Sequence, residues 1–231
     1  MMDFLSIMAP PFAACLVLMG IHTYLGVHVL AREVIFVDLA LAQVAALGAA
    51  VALVIGLEAG STAAYTLSLA FALLGAGLFT ATRTRRHDVS QEAVIGIAYA
   101  VAAAATILVM DRLPHGAEEI KALLVGSILW VSWGKVLATA ALYAVIGALH
   151  WLWRRPLLQV SQGAKGMSVA RVRAWDFLFY ATFGVVITVS VPLAGVLLVF
   201  SFLIVPALCA VFIASSFRAQ LFTAWMVGFG V

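Results

Sequence analysis

Long apolar stretches separated by short polar ones run along the whole chain. Stretches of membrane-spanning length occupy residues 4–30, 34–57, 61–81, 93–110, 136–153, 175–191 and 194–214, and a last one runs from residue 219 to the end. A bilayer core about 30 Å thick requires roughly 20 helical residues at about 1.5 Å each. The pattern predicts an all-α fold, a polytopic transmembrane helical bundle of about eight spans forming a single domain over residues 1–231. The eighth span stops after 13 residues, so we expect a chain truncated at its C-terminus.

Composition agrees with this assignment. Of the 231 residues, 65% are apolar and 10% are charged, and the mean hydropathy is +1.16. Soluble domains are about half apolar and about a quarter charged, so a water-soluble globule is excluded. Cys15 and Cys209 both lie in apolar stretches and are interpreted as small buried residues, not as a disulfide framework.

The distribution of lysine and arginine predicts the orientation. With the N-terminus outside, ten of the thirteen basic residues fall on the inner side, and only Arg112, Lys121 and Lys135 fall outside. Basic residues concentrate on the cytoplasmic side of membrane proteins. We therefore expect a multi-pass protein of a bacterial-type plasma (inner) membrane with an external N-terminus. The net charge of +3 then reflects topology, and no nucleic-acid partner is expected.

Two connections are too long to be simple turns. Residues 154–173 form a cytoplasmic segment with five positive charges and no acid. Residues 111–135 form an outer loop that becomes apolar over 122–131, which is too short to span and is predicted to be a short re-entrant or surface helix.

Polar side chains inside spans are the main functional clue, because an aspartate at a helix centre costs about 2.5–3.5 kcal/mol on insertion scales. Asp38 and Gln43 lie in the second apolar stretch among alanines and glycines that permit close helix contact, and His22 lies in the first. These three residues are candidates for a transport pathway. Alternatively, Asp38 extends to the interface or pairs with Arg32, Gln43 bonds a neighbouring helix, and His22 is structural.

The outer loop carries a weaker candidate site. His115, Glu118 and Glu119 would share one face of a helix and could hold a divalent cation. The favoured alternative is a solvated helix start after Pro114, whose acids complement the helix N-terminus. No phosphate-binding G-x-x-x-x-G-K-[ST] motif and no catalytic signature occurs, so the chain is not expected to be an enzyme, and any ATP hydrolysis must come from another subunit.

Four segments together resemble the integral-membrane permeases of zinc/manganese/iron-type metal ABC importers. They are FVDLALAQVAALG at residues 36–48, QEAVIGI at 91–97, LVGSILWVS at 124–132 and GVLLVFSFLIVPA at 195–207. In one respect the chain departs from the family: alignment on Leu47 and Gly48 places Leu39 and Gln43 where the family has the Asp and His of its metal pathway. An amide is a poorer zinc ligand than imidazole.

The resemblance implies a permease that works by alternating access as part of a complex. Two copies would pair as a homodimer in membrane lipid, a cytoplasmic ABC ATPase subunit would drive them, and an external metal-binding protein would deliver a divalent metal. The chain itself would bind no cofactor. On this interpretation the basic segment contains a coupling helix near residues 162–171 that docks on the ATPase, with Gln162, Gly163, Lys165, Gly166 and Arg171 as its docking residues.

Two alternatives remain open. The basic segment could be a plain inner loop held near anionic lipid by its charges. The whole chain could be a stand-alone secondary cation transporter that uses Asp38 as a proton or cation site.

Overall fold

The fold is a bundle of α-helices. The computed structural model describes residues 2–83, 90–113, 116, 118, 121 and 125–230, with only the backbone for residues 2–5, and the described residues contain no strand. The helices are α1 Met2–Ala31, α2 Val37–Val54, α3 Thr62–Thr82, α4 Gln91–Met110, α5 Trp133–Leu152, α6 Arg154–Ser161, α7 Val169–Ala194, α8 Val196–Ile213 and α9 Phe217–Gly230, with a single 3-10 turn at Ile128–Trp130 before α5.

Seven of these helices are long and apolar enough to cross a membrane: α1 to α5, α7 and α8. The short helix α6 and the 14-residue α9 are the exceptions. The predicted all-α membrane bundle, with seven complete spans and a short final helix, is confirmed.

Helix α7 continues three residues beyond the predicted stretch 175–191, and its boundary with α8 lies at a glycine. Pro192 is inside α7, which continues to Ala194. Gly195 has a φ of 78°, and this left-handed conformation, which costs glycine little, ends the helix. A proline near the end of a helix removes one hydrogen bond without stopping the chain from completing its last turn.

The prediction of a short helix near residues 162–171 is wrong. The short helix is instead α6, which ends at Ser161. Helix α7 begins at Val169, and the Ser168 side chain caps it by accepting a hydrogen bond from the Arg171 amide. Between them, Gly163, Ala164 and Gly166 have φ values of 97°, 54° and 75°. Three residues in this left-handed region cannot continue a right-handed helix.

Helix packing places α7 near the centre of the bundle. It contacts α2, α3 and α8, and its side chains Phe179, Tyr180 and Phe183 are fully buried in the main core. Helix α1 packs on α8 and α9, and α2 lies against both α3 and α4.

The two ends of the bundle differ. We call the end that holds Arg32, Arg83 and α6 the basic end. At the opposite end, the Ser127 amide donates to the carbonyl of Leu193 over 3.0 Å, which ties the segment before the 3-10 turn to the end of α7. The predicted re-entrant helix of the outer loop stays a prediction, because residues 122–124 and most of 114–120 lie outside the described residues.

Candidate functional site

A buried carboxylate joins three helices at the basic end. Asp176 of α7 is completely buried, and its Oδ1 accepts from Nη1 of Arg32 over 2.6 Å. Arg83, which follows the last residue of α3, donates to the same oxygen. The Arg32 guanidinium also stacks on Phe179, with its central carbon 3.9 Å from the ring centroid. Burial lowers the pKa of the Arg32 guanidinium, and the neighbouring Asp176 carboxylate acts in the opposite direction.

The same arginine is bonded to helix α6. Arg32 Nε donates to the Ser161 hydroxyl over 2.9 Å, and Nδ1 of His28 lies 2.8 Å from that oxygen. The hydroxyl donates its own proton to the Leu157 carbonyl, so His28 is the donor in its contact. Every hydrogen-bonding capacity of this buried serine is therefore used.

A groove of about 1030 Å³ opens beside this cluster. Its lining includes Arg32, Glu33, Arg83 and Arg173, together with residues 162–167 of the turn between α6 and α7. The predicted docking residues Gln162, Gly163, Lys165 and Gly166 are exposed and line it, whereas Arg171 is exposed on the first turn of α7 outside the lining. This face presents exposed basic side chains on a turn whose conformation is fixed by its hydrogen bonds.

Asp38 is buried at the start of α2, with only 2% of its surface exposed. Its Oδ1 has no hydrogen-bond partner, and Oε2 of Glu92 at the start of α4 is likewise buried and unpaired. The other Glu92 oxygen accepts from the Phe36 amide over 3.0 Å. Through this bond Glu92 lies at the beginning of α2, where Asp38 is also found. Two carboxylates at the same helix end can together attract a cation.

His22 lies on a different part of the bundle. Its Nδ1 is 2.8 Å from the Leu18 carbonyl, so the neutral ring presents a buried, unpaired Nε2 lone pair. Its ring faces Tyr143 of α5 at 6.3 Å, and Gln43 is half-buried within α2. Among the described residues, no hydrogen bond, ion pair or ring contact joins His22 to Asp38 or Gln43, so the three pathway candidates do not form one bonded cluster within the chain.

The outer candidate site falls largely outside the described residues. His115 and Glu119 are not described, and Glu118 is exposed. In the described part of the chain, no group of three or more His, Cys, Asp or Glu side chains is placed to hold a metal ion.

A second cavity, of about 580 Å³, lies between α2, α3, α5 and α7 at the opposite end. Hydroxyl groups contribute to its wall, from Tyr65, Ser68, Thr139 and Thr188, and Lys135 also lines it. These groups can solvate a polar cargo, but the lysine opposes the approach of a bare cation.

Sequence reasoning missed three features of the site. Asp176 lies within the apolar stretch 175–191 and Glu92 within the segment at residues 91–97, and neither was considered as a site residue. Ser161 lies in no pattern that marks it as important. A lone acid two residues into a predicted span is a signal that could have been used for Asp176, since a charge in such a position is rarely left unpaired.

Both the sequence and the fold of this chain match known membrane transport proteins. Residues 5–230 match the profile of the ABC 3 transport family. The fold is similar to that of a chain in the structure of PsaBC from Streptococcus pneumoniae in complex with Fab, with a TM-score of 0.75 and 21% identity over 98% of this chain and 81% of that one.

The fold is also similar to that of a protein described as a metal-chelate type ABC transporter, in an inward-facing conformation. This match has a TM-score of 0.67 and 17% identity over 94% of this chain and 73% of that one. No curated protein matches significantly. Because the family profile covers nearly the whole sequence, the chain belongs to the ABC 3 transport family.

Proposed function

We propose that the chain is the permease subunit of an ABC importer that moves divalent metal ions of the zinc, manganese and iron class across a bacterial-type plasma membrane by alternating access. The observation that carries the proposal is the family match over residues 5–230. The description of one structural relative as a metal-chelate type transporter supports metal as the cargo. The absence of a phosphate-binding motif from the sequence agrees with ATP hydrolysis by a separate subunit.

The proposed complex contains two copies of the chain in membrane lipid, a cytoplasmic ABC ATPase and an external metal-binding protein. Asp38 is the strongest pathway candidate, because its buried carboxylate has an unpaired oxygen and Glu92 lies nearby. Gln43 and His22 contribute less. The amide of Gln43 is a weak ligand, and the His22 lone pair has no second ligand beside it among the described residues.

Reconstitution tests the function directly. The tagged chain is purified with the ATPase encoded beside it and placed in vesicles that contain ATP, and uptake of zinc and of manganese is measured with the binding protein outside. We expect the ATPase to co-purify and uptake to require ATP. Uptake without any ATPase, lost in Asp38→Asn, would instead establish the secondary transporter, which membership in an ABC transport family disfavours.

The proposed docking surface is tested by charge reversal. Lys165 is exposed on the turn between α6 and α7, and its side chain makes no ion pair within the described residues. Lys165→Glu should reduce co-purification of the ATPase at least about fivefold, since one lost and one added charge cost about 1–2 kcal/mol at such a surface. Arg112→Glu, at an exposed position of the opposite end, is the matched control and should leave co-purification unchanged. Equal recovery of the ATPase with both variants would remove the turn from the docking surface.

A further inference from the structure

We propose that Ser161 and Arg32 form a tether that transmits movement of α6 and its following turn to the membrane-spanning helices, so that ATP hydrolysis is coupled to transport. This inference rests on the proposed function, because it explains how a partner acting on the basic end could reorganise the spans. Ser161 and Arg32 are positioning residues, and neither is proposed to touch cargo.

The first step of the argument is that α6 and the turn form one compact unit. The Gln159 side-chain amide donates to the Lys165 carbonyl over 2.8 Å, and the Ala164 amide donates to the Gln159 carbonyl over 2.8 Å. Val160 packs in a small apolar cluster with Met167 and with Val172 of α7. A force applied to the exposed turn therefore moves α6 with it.

The second step is that one guanidinium links this unit, which already contacts α7 through Val172, to the ends of α1 and α3. Arg32 Nε is bonded to Ser161 of α6, while Nη1 of the same group is bonded to Asp176 of α7. Arg32 itself directly follows α1, and Arg83 at the end of α3 shares the Asp176 carboxylate. Four helices thus meet at two adjoining side chains.

The third step is the rigidity of that junction. The donors of a guanidinium are fixed in one plane, so the bonds to Ser161 and to Asp176 cannot adjust independently. A displacement of α6 by about 1 Å stretches the 2.9 Å bond beyond hydrogen-bonding range unless Arg32 follows. If Arg32 follows, the carboxylate and the ends of α3 and α7 are displaced as well.

Ser161→Ala tests the tether with little change to the docking surface, because Ser161 borders the groove but only 2% of its surface is exposed. Ser201→Ala is the matched control. Both serines donate to the carbonyl four residues earlier over 2.9 Å, but Ser201 is exposed on α8 and has no hydrogen bond to another helix among the described residues. The readouts are metal uptake per ATP hydrolysed in vesicles and hydrogen exchange of residues 154–161 in the purified chain.

We expect Ser161→Ala to retain the ATPase, to lower the uptake per ATP at least about fivefold and to speed the exchange of α6 about tenfold, with Ser201→Ala unchanged in all three. Arg32→Lys, which keeps the charge beside Asp176 but has no fork to reach Ser161, should lower the ratio as well. The tether would be overturned if Ser161→Ala took up metal, per ATP hydrolysed, within twofold of the unmodified chain. Should the unmodified complex take up no metal, the proposed function fails and the coupling role of the tether fails with it. Unchanged exchange of α6 in Ser161→Ala would overturn the tether independently of transport.

Discussion

Asp176 pairs with two arginines, Arg32 and Arg83, at the basic end. Among the described residues, no other acid forms an ion pair with either of them. Oδ1 of Asp176 receives both guanidinium groups, whereas its Oδ2 is buried without a partner. A buried charge is tolerated only when it is paired, so each member of this cluster depends on the others.

Replacement of Asp176 should therefore be costly. Asp176→Ala would leave the buried Arg32 without its counter-charge, and removal of one partner from a buried pair costs about 3–5 kcal/mol. We expect that loss in the free energy of unfolding, measured by thermal unfolding of the purified chain in detergent. Asp111→Ala provides the comparison, because Asp111 is exposed at the end of α4, and its effect should stay within about 0.5 kcal/mol. Similar midpoints for the two variants would contradict the account of a paired buried charge.

At the scale of helices, close packing depends on glycines at helix contacts, where even a methyl side chain would not fit. A Cβ at Gly26 of α1 would lie 1.9 Å from the Leu203 carbonyl oxygen of α8, and this backbone atom cannot move aside independently. Gly77 of α3 is different, since a Cβ there would meet no heavy atom within 4 Å.

These two glycines give a matched pair of substitutions. Gly26→Ala should force α1 and α8 apart and lower the free energy of unfolding by at least about 1–3 kcal/mol, the usual range for overpacking. Gly77→Ala should be neutral or stabilising, because alanine favours a helix by up to about 1 kcal/mol over glycine. Thermal unfolding of both variants measures the difference between them. Equal destabilisation would show that the close contact of Gly26 with α8 is not what makes its replacement costly.

The elements were far more predictable from the sequence than their junctions. Apolar stretches define spans such as α2 and α4 because insertion into lipid selects for length and hydropathy alone. The end of α7 and the position of α6 were mistaken because each depends on the φ angle of particular residues, Gly195 and Ala164 among them. The pairing of Asp176 with Arg32 joins residues 144 positions apart, and nothing local in the sequence specifies it.

The candidate site was predictable only in part. Asp38 was identified because an acid in an apolar stretch is costly, and its burial agrees with that reasoning. Its neighbour Glu92 and the separation of Asp38 from His22 follow from which helices pack together, which periodicity does not determine. The transport role of these residues stays a prediction.

For the molecule as a whole, the two ends have different properties. At the basic end, buried ionic and hydroxyl contacts join several helices beside the groove of about 1030 Å³, whereas a cavity of about 580 Å³ lies between helices at the opposite end. Helices that are joined at the basic end would respond to a partner there together, and the second cavity leaves room for them to shift at the opposite end.

Labelling with a membrane-impermeant maleimide tests which end faces the cytoplasm. In a chain whose Cys15 and Cys209 are replaced by alanine, Arg112→Cys should react in intact spheroplasts, and Lys165→Cys should react only after permeabilisation, since basic residues concentrate on the cytoplasmic side. Both positions are exposed in the chain, so when it is expressed without its ATPase, access to the reagent depends on sidedness. The reverse pattern would invert the topology proposed for the chain.

The unequal lengths of the spans bear on how the bundle sits in lipid. Helices α2 and α8 have 18 residues each and reach about 27 Å, while α7 has 26 residues and reaches about 39 Å. Even when upright, the short helices are about 3 Å shorter than a hydrocarbon layer of about 30 Å, so the layer must thin around them, whereas α7 must lean or project beyond it. Longer acyl chains would therefore strain α2 and α8 first, so the thickness of the host membrane acts directly on the helix whose first turn carries Asp38.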